Sequence, residues 1–169
     1  MEVQVFLATP NLLIMNSNII DTTMIYLKKD DCYLLLYRNK KKHDINHNKW
    51  IGVGGHVEPN ETIDECAIRE VKEETGLDVH SLSCSGEVLF VDENLKMMMY
   101  IYEITDFSGD LIECNEGELK WIPIKDIYNY PMWEGDKAFL PKLINHEPYF
   151  KMVLTYRDNK LINIEEINY

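Results

Sequence analysis

Gly55-His-Val-Glu-Pro-Asn-Glu61-Thr-Ile-Asp-Glu-Cys-Ala-Ile-Arg69-Glu70-Val71-Lys-Glu73-Glu74-Thr-Gly76-Leu77 gathers carboxylates on a segment otherwise built to be helical. Thr62 with Glu65 three residues later forms a capping-box pattern, and Gly76 stands where a left-handed C-terminal cap belongs, so a helix is expected over 63–75. At about 100° per residue, Glu70, Glu73 and Glu74 share one face, within an arc of roughly 100°. Beside it, Ile63, Ala67, Ile68 and Val71 form an apolar arc expected to seat the helix on a core.

The acids work against the helix. Like charges at i,i+3 and i,i+4 cost about 0.2–0.5 kcal/mol per pair, and acids near a helix C-terminus oppose the macrodipole by about 0.3–1 kcal/mol each. A hard divalent cation removes the conflict, because Mg2+ takes oxygen ligands and is shared between one or two carboxylates and substrate phosphates. The alternative is a solvated acidic helix face, which is common for a bare Glu-x-x-Glu-Glu.

The longer spacing decides between them. Gly55, five residues, Glu61, seven residues, Arg69-Glu70, aliphatic Val71, one residue, Glu73-Glu74, one residue, Gly76 and aliphatic Leu77 fill the Nudix box without a gap. With about 7 % as the frequency of each of the seven fixed residues, a chance match is about one in 10^8 per window. The sequence strongly resembles a Nudix hydrolase. That resemblance implies an α/β/α sandwich with a mixed β-sheet between helices, and a metal held by Glu70, Glu73, Glu74 and the Gly55 carbonyl. It implies Mg2+ as cofactor with Mn2+ as substitute. It also makes Arg69 and Glu61 partners that orient the loop and helix, and puts Val71 and Leu77 in the core. A further acid is expected from the region before Trp121, with Glu116 the first choice and Glu118 the second.

Composition agrees with one compact domain of this kind. The chain has 169 residues and 46 % hydrophobic content, enough for its own core. A net charge of -12 argues against binding a nucleic-acid polymer. Cys32, Cys66, Cys84 and Cys114 have neither zinc-site nor disulfide-framework spacing, which fits a reducing cytoplasm. No signal peptide or membrane span is expected.

In chain order, residues 1–20 are expected to be an extension or edge strand ahead of a hydrolase domain over 21–169. Thr22–Leu27 and Cys32–Tyr37 read as a hairpin around Lys28-Lys29-Asp30-Asp31. Asn39 to Asp44 is a basic loop whose lysines, Lys40 among them, are candidates to steer or touch a polyphosphate. His43 and His47 in the same polar loop are not expected to form a metal pair. Trp50 to Gly55 is glycine-dense, as a backbone that approaches a ligand closely would be, and His56 next to it could reach phosphate. Glu87–Asp92 and Met97–Thr105 read as a second hairpin, with Met97, Met99 and Ile101 on one face; these methionines suit a core or a pliant base pocket. Lys151–Thr155 and Leu161–Ile167 should form a terminal hairpin without chemistry.

Pro131-Met132-Trp133-Glu134-Gly135-Asp136 resembles the purine-binding segment of MutT-like 8-oxo-dGTP diphosphatases. The resemblance implies that Trp133 stacks on the base and Asp136 hydrogen-bonds its edge; a Trp platform gives about 1–3 kcal/mol per base. Two positions depart from that pattern. Gly135 replaces an acid of the mammalian enzymes, and Ile51 occupies the place of a base-contacting Asn. The expected activity is Mg2+-dependent hydrolysis of a purine nucleoside triphosphate, 8-oxo-dGTP-like, to monophosphate and pyrophosphate. A Nudix hydrolase of ADP-ribose or diadenosine polyphosphate is the first alternative, and a non-catalytic nucleotide sensor the second. The expected partner is a small nucleotide; a homodimer fits the family, but the sequence marks no interface.

Overall fold

The computed structural model describes residues 18–168. The expected extension before residue 18 therefore lies outside the described residues, and the first strand, β1 (Ile20–Lys29), begins close to the expected domain boundary. It is followed by β2 (Cys32–Tyr37), β3 (Trp50–Ile51), α1 (Ile63–Thr75), β4 (Asp78–Val79), β5 (Cys84–Val91), β6 (Lys96–Ile104), β7 (Phe107–Ser108), β8 (Glu118–Pro123), a 3-10 segment (Ile124–Asn129), α2 (Asp136–Ile144), β9 (Phe150–Arg157) and β10 (Lys160–Glu166). The main sheet runs β10-β9-β5-β6-β1-β2-β3, with β8 also on β2; β4 and β7 pair separately. It is mixed: β1 lies parallel to β6 and β5 parallel to β9, while the remaining pairs are antiparallel.

Alternation along the central strands creates the two faces. In β2, Leu34 and Leu36 join one core cluster with Ala67 and Val71 of α1. Tyr33 and Leu35 join the other with Phe139, Leu140 and Leu143 of α2. A strand covered on both faces has no reason to carry polar residues, hence the buried run from Tyr33 to Leu36. The α/β/α sandwich follows from this two-sided burial.

Local chemistry sets the boundaries. α1 spans Ile63–Thr75, with the reciprocal Thr62–Glu65 capping box and Gly76 left-handed at φ 81°. The β1–β2 turn is tighter than expected. Lys28 and Lys29 stay in the strand, opposite Tyr33 and Cys32, and only Asp30 and Asp31 turn, both at positive φ as a two-residue hairpin of right-twisted strands requires. Asp158 and Asn159 repeat this in the terminal hairpin. One expectation fails on α1: Ile68 is 41 % exposed. Cys66, Ala67 and Val71 make the seat, joined by Glu74 and Thr75. The buried arc is thus rotated toward the carboxylates, and it takes Glu74 inside.

Candidate active site

After β3 the backbone runs antiparallel to β1. The Ile25 N–H donates to the Val53 carbonyl (2.7 Å) and Thr23 N–H to that of Gly55 (2.9 Å). Gly54, between these residues, turns the other way and donates its N–H to Glu74 Oε2 (2.9 Å). At φ 150° and with the Thr23 carbonyl against its α-carbon, position 54 has no room for a side chain. The last turn of α1 is therefore tied to the glycine loop through a carboxylate.

The Gly55 carbonyl, expected to face a metal, faces β1 instead. It accepts from the Thr23 N–H (2.9 Å) and the Thr22 hydroxyl (2.9 Å). It is the Gly54 N–H, not a polar backbone group of Gly55, that meets the acids.

Arg69 holds the loop to the helix. Its Nε and Nη2 bind the two oxygens of Glu61 at 2.6 and 3.0 Å, and Nη2 also donates to the His56 carbonyl (3.1 Å). Nη1 reaches Glu70 (2.9 Å) and Glu73 (3.1 Å). The Arg69 hydrogen bonds hold Glu61 well below the carboxylate range, at about 2. A depressed carboxylate stabilises the fold above its unfolded pKa and loses that contribution as pH falls toward the folded one. Arg69→Ala is accordingly expected to lower Tm by several degrees near pH 7, with the difference from wild type shrinking between about pH 4.5 and 2. Thermal melts across that range check it, and a pH-independent difference would exclude the ion pair as its source.

The acids fall into distinct environments. Glu73 is exposed, whereas Glu70 is half-buried against the α-carbon of Gly55, its pKa raised by burial although Arg69 opposes this. Glu74 is buried, and desolvation, with Glu116 adding to it, pushes its carboxyl up to about 9. Glu116 lies beside Glu74 and is held below its ordinary range, against its own burial, by Lys41, Glu74 and Arg38. The structure thus brings the expected extra acid onto the helix carboxylates. Glu118 instead faces Asn39, at 3.4 Å.

Among the described residues no three His, Cys, Asp or Glu side chains converge into a ready-made cage. The donor set nevertheless suits a hard cation: two carboxyls with raised pKa and a third beside them favour a positive ion between them, and Mg2+ needs only one or two carboxylates beside water and phosphate.

Arg38, at the end of β2, went unnoticed in the sequence. It reaches Asp44 (2.5 Å), Glu116 and, at 4.0 Å, Glu74. Arg38 lines the neighbouring cavity, while Lys40 does not: its Nζ donates to the Cys114 carbonyl (2.6 Å) and pairs with Glu113 (3.6 Å).

That cavity, of about 230 Å3, extends from Gly54, Gly55, His56 and Arg38 to Ile51, Trp133 and Asp136. Met97 and Met99 line it, Phe90, Leu154 and Tyr156 close it, and the loop after β2 contributes Asp44, Ile45 and Asn46. Trp133 meets the edges of Tyr156 (5.3 Å, 89°) and Phe90 (6.1 Å, 73°), carries Lys49 over its ring (4.4 Å) and donates Nε1–H to Asn46 Oδ1 (2.7 Å). Asp136, the first residue of α2, is 5 % exposed, and burial raises its carboxyl to about 7. Position 135 is tightly packed: a Cβ there would come within 2.6 Å of Leu154 Cδ1 and of the Tyr156 hydroxyl oxygen, to which the Gly135 N–H donates, so both side chains would have to shift.

A mixed sheet between helices, with the capped box helix presenting acids to a glycine loop, defines a Nudix hydrolase. The sequence profile of the NUDIX domain matches residues 20–143, and the chain belongs to that family, in its MutT-like branch. It is 33 % identical over 116 residues to the oxidized purine nucleoside triphosphate hydrolase of Danio rerio, covering 66 % of this chain and 74 % of that one. It is 28 % identical over 140 residues to an uncharacterized Nudix hydrolase of Bacillus subtilis, covering 79 % and 85 %. The crystal structure of a mutator MutT protein from Bacillus halodurans superposes with a TM-score of 0.77 at 25 % identity, over 88 % of this chain and 97 % of that one. Among the described residues no helix is long and apolar enough to cross a membrane.

Proposed function

We propose that the protein is a Mg2+-dependent pyrophosphohydrolase of purine nucleoside triphosphates, with an oxidised base preferred. One observation carries this reading: a single cavity joins the glycine loop beside the acids to the Trp133–Asp136 pocket, so phosphates and base have adjoining places. The Danio rerio relative, named for oxidized purine nucleoside triphosphates, supports it.

In this reading Glu70, Glu73 and Glu74 would hold the metal, and the glycine loop at Gly54 would supply a backbone ligand in place of the Gly55 carbonyl. Bound Mg2+ neutralises phosphate charge and makes water a stronger nucleophile. Glu116 lies beside Glu74 and pairs with Arg38, so it positions the attacking water while the guanidinium faces the phosphates. Which member of the group accepts the proton is a property of the set, because coupled acids titrate together. Trp133 supplies an aromatic surface for the base, and Asp136, desolvated and without a hydrogen-bonding partner for its carboxyl among the described residues, recognises its edge. Ile51 contributes apolar contact only. Attack of water releases the nucleoside monophosphate and pyrophosphate.

The test is product release with Mg2+ across 8-oxo-dGTP, dGTP, the other triphosphates, ADP-ribose and diadenosine polyphosphates. The kcat/KM for 8-oxo-dGTP is expected to exceed that for dGTP at least about tenfold, the worth of one well-formed hydrogen bond. A higher value for ADP-ribose or a dinucleotide overturns the substrate assignment and leaves the hydrolase.

A further inference from the structure

Asn46 lies in the loop after β2, 87 residues from Trp133 in sequence, yet it accepts the indole N–H at 2.7 Å. An indole nitrogen only donates, so the atom facing it is the amide oxygen, and the orientation of the amide is settled. The NH2 end, with two donors, has no partner among the described residues, although Asn46 lines the cavity. The side chain is also held from behind: its backbone N–H donates to Asp44 Oδ1 (3.0 Å), and Asp44 is fixed by Arg38 (2.5 Å). This is a preorganised donor. Ile51 and Gly135 offer the base nothing polar from their side chains. On the same cavity stands Asp136, 5 % exposed and without a hydrogen bond to its carboxyl among the described residues.

An acceptor and a paired donor are complementary to a lactam edge, a ring N–H beside a C=O. Resting on the reading of this cavity as a base site, we propose that Asn46 is the specificity-determining donor that reads the carbonyl of a purine lactam, with Asp136 accepting the adjoining N–H. Such an edge occurs at N1/C6 of hypoxanthine and guanine and at N7/C8 of 8-oxopurines. Adenine has neither: its N6 amino group would meet the Asn46 donors head on. A site whose buried polar groups are left unpaired rejects the wrong base strongly.

Asn46→Asp is the discriminating variant, because it keeps an oxygen for the Trp133 indole and replaces both donors by an acceptor. Equilibrium binding of IMP, AMP and 8-oxo-AMP is measured with wild type, Asn46→Asp and Asn46→Ala, with the near-UV tryptophan signal reporting an intact pocket. Wild type is expected to prefer IMP, 8-oxo-AMP or both over AMP by at least about tenfold, and Asn46→Asp to bring that preference within about threefold. A loss confined to IMP assigns the N1/C6 edge, and one confined to 8-oxo-AMP assigns the N7/C8 edge. Equal changes for all three nucleotides in both variants, or an unchanged preference, overturn the proposal. If the variants do not fold, the wild-type preference decides alone, and its absence overturns the proposal. Turnover of dITP, dATP and 8-oxo-dATP is followed in parallel. A wild-type protein that binds in this pattern but hydrolyses none of the three refutes the triphosphatase reading and leaves the Asn46 assignment standing.

Discussion

Glu74→Gln is expected to lower kcat by about 10^3-fold or more and, in the absence of metal, to melt at a higher temperature than wild type at pH 8. The two effects share a cause. Glu74 is 7 % exposed, its carboxyl is pushed up to about 9 by burial and by Glu116, and it ties Gly54 to α1. Glutamine keeps an oxygen for the Gly54 N–H but cannot ionise, so it cannot serve a cation. For a carboxyl whose folded pKa lies above its unfolded one, the native state binds the extra proton between the two values. Stability therefore falls as pH rises from about 4.5 toward 9. The variant lacks that decline, and its advantage should fade toward pH 5. Steady-state kinetics with Mg2+ and melts in chelator at pH 5, 6 and 8 give the answer. Turnover within tenfold of wild type, or a lower Tm at pH 8, would remove Glu74 from the metal site.

What was legible in the sequence was what local rules determine. Thr62, Glu65 and Gly76 mark α1 because caps act within one turn, and the β2 run shows two-sided burial because each of its residues must face a helix layer. Ile68 misled because periodicity gives a face to within a residue or so, and here the core takes the side nearer Glu74. The glycine loop was legible as a close backbone approach, but the direction of each carbonyl depends on the register against β1, which placed Gly55 on Thr22 and Thr23. Lys40 was attractive as a charge in a basic run. Its place is decided by the Glu113–Glu118 segment, which takes up Lys40 and Lys41, while the less conspicuous Arg38 reaches the cavity. Asn46 could not be found at all, since its meaning comes from an indole 87 residues away.

The second large effect concerns Asp136, where recognition and stability are set against each other. Burial alone raises its carboxyl to about 7, and it has no opposite charge beside it. Below that pH it is protonated and costs the fold little. As pH rises from about 4 through 7 the native state retains a proton that the unfolded chain has lost, so stability declines and then levels off above 7. Asp136→Asn should abolish this decline and unfold at higher urea than wild type at pH 8, with little difference at pH 5. Binding runs the other way. Accepting a base N–H is best done by the carboxylate, and a charged hydrogen bond is worth about 1.5–3 kcal/mol, so kcat/KM for 8-oxo-dGTP should fall roughly 10- to 150-fold in the variant at pH 8. Because the acids on α1 also titrate, the informative quantity is the wild-type to variant ratio of kcat/KM between pH 5.5 and 8.5. It is expected to climb through a midpoint near 7. A ratio that stays flat, with the urea midpoints equally displaced at both pH values, would mean that Asp136 shapes the start of α2 and does not read the base.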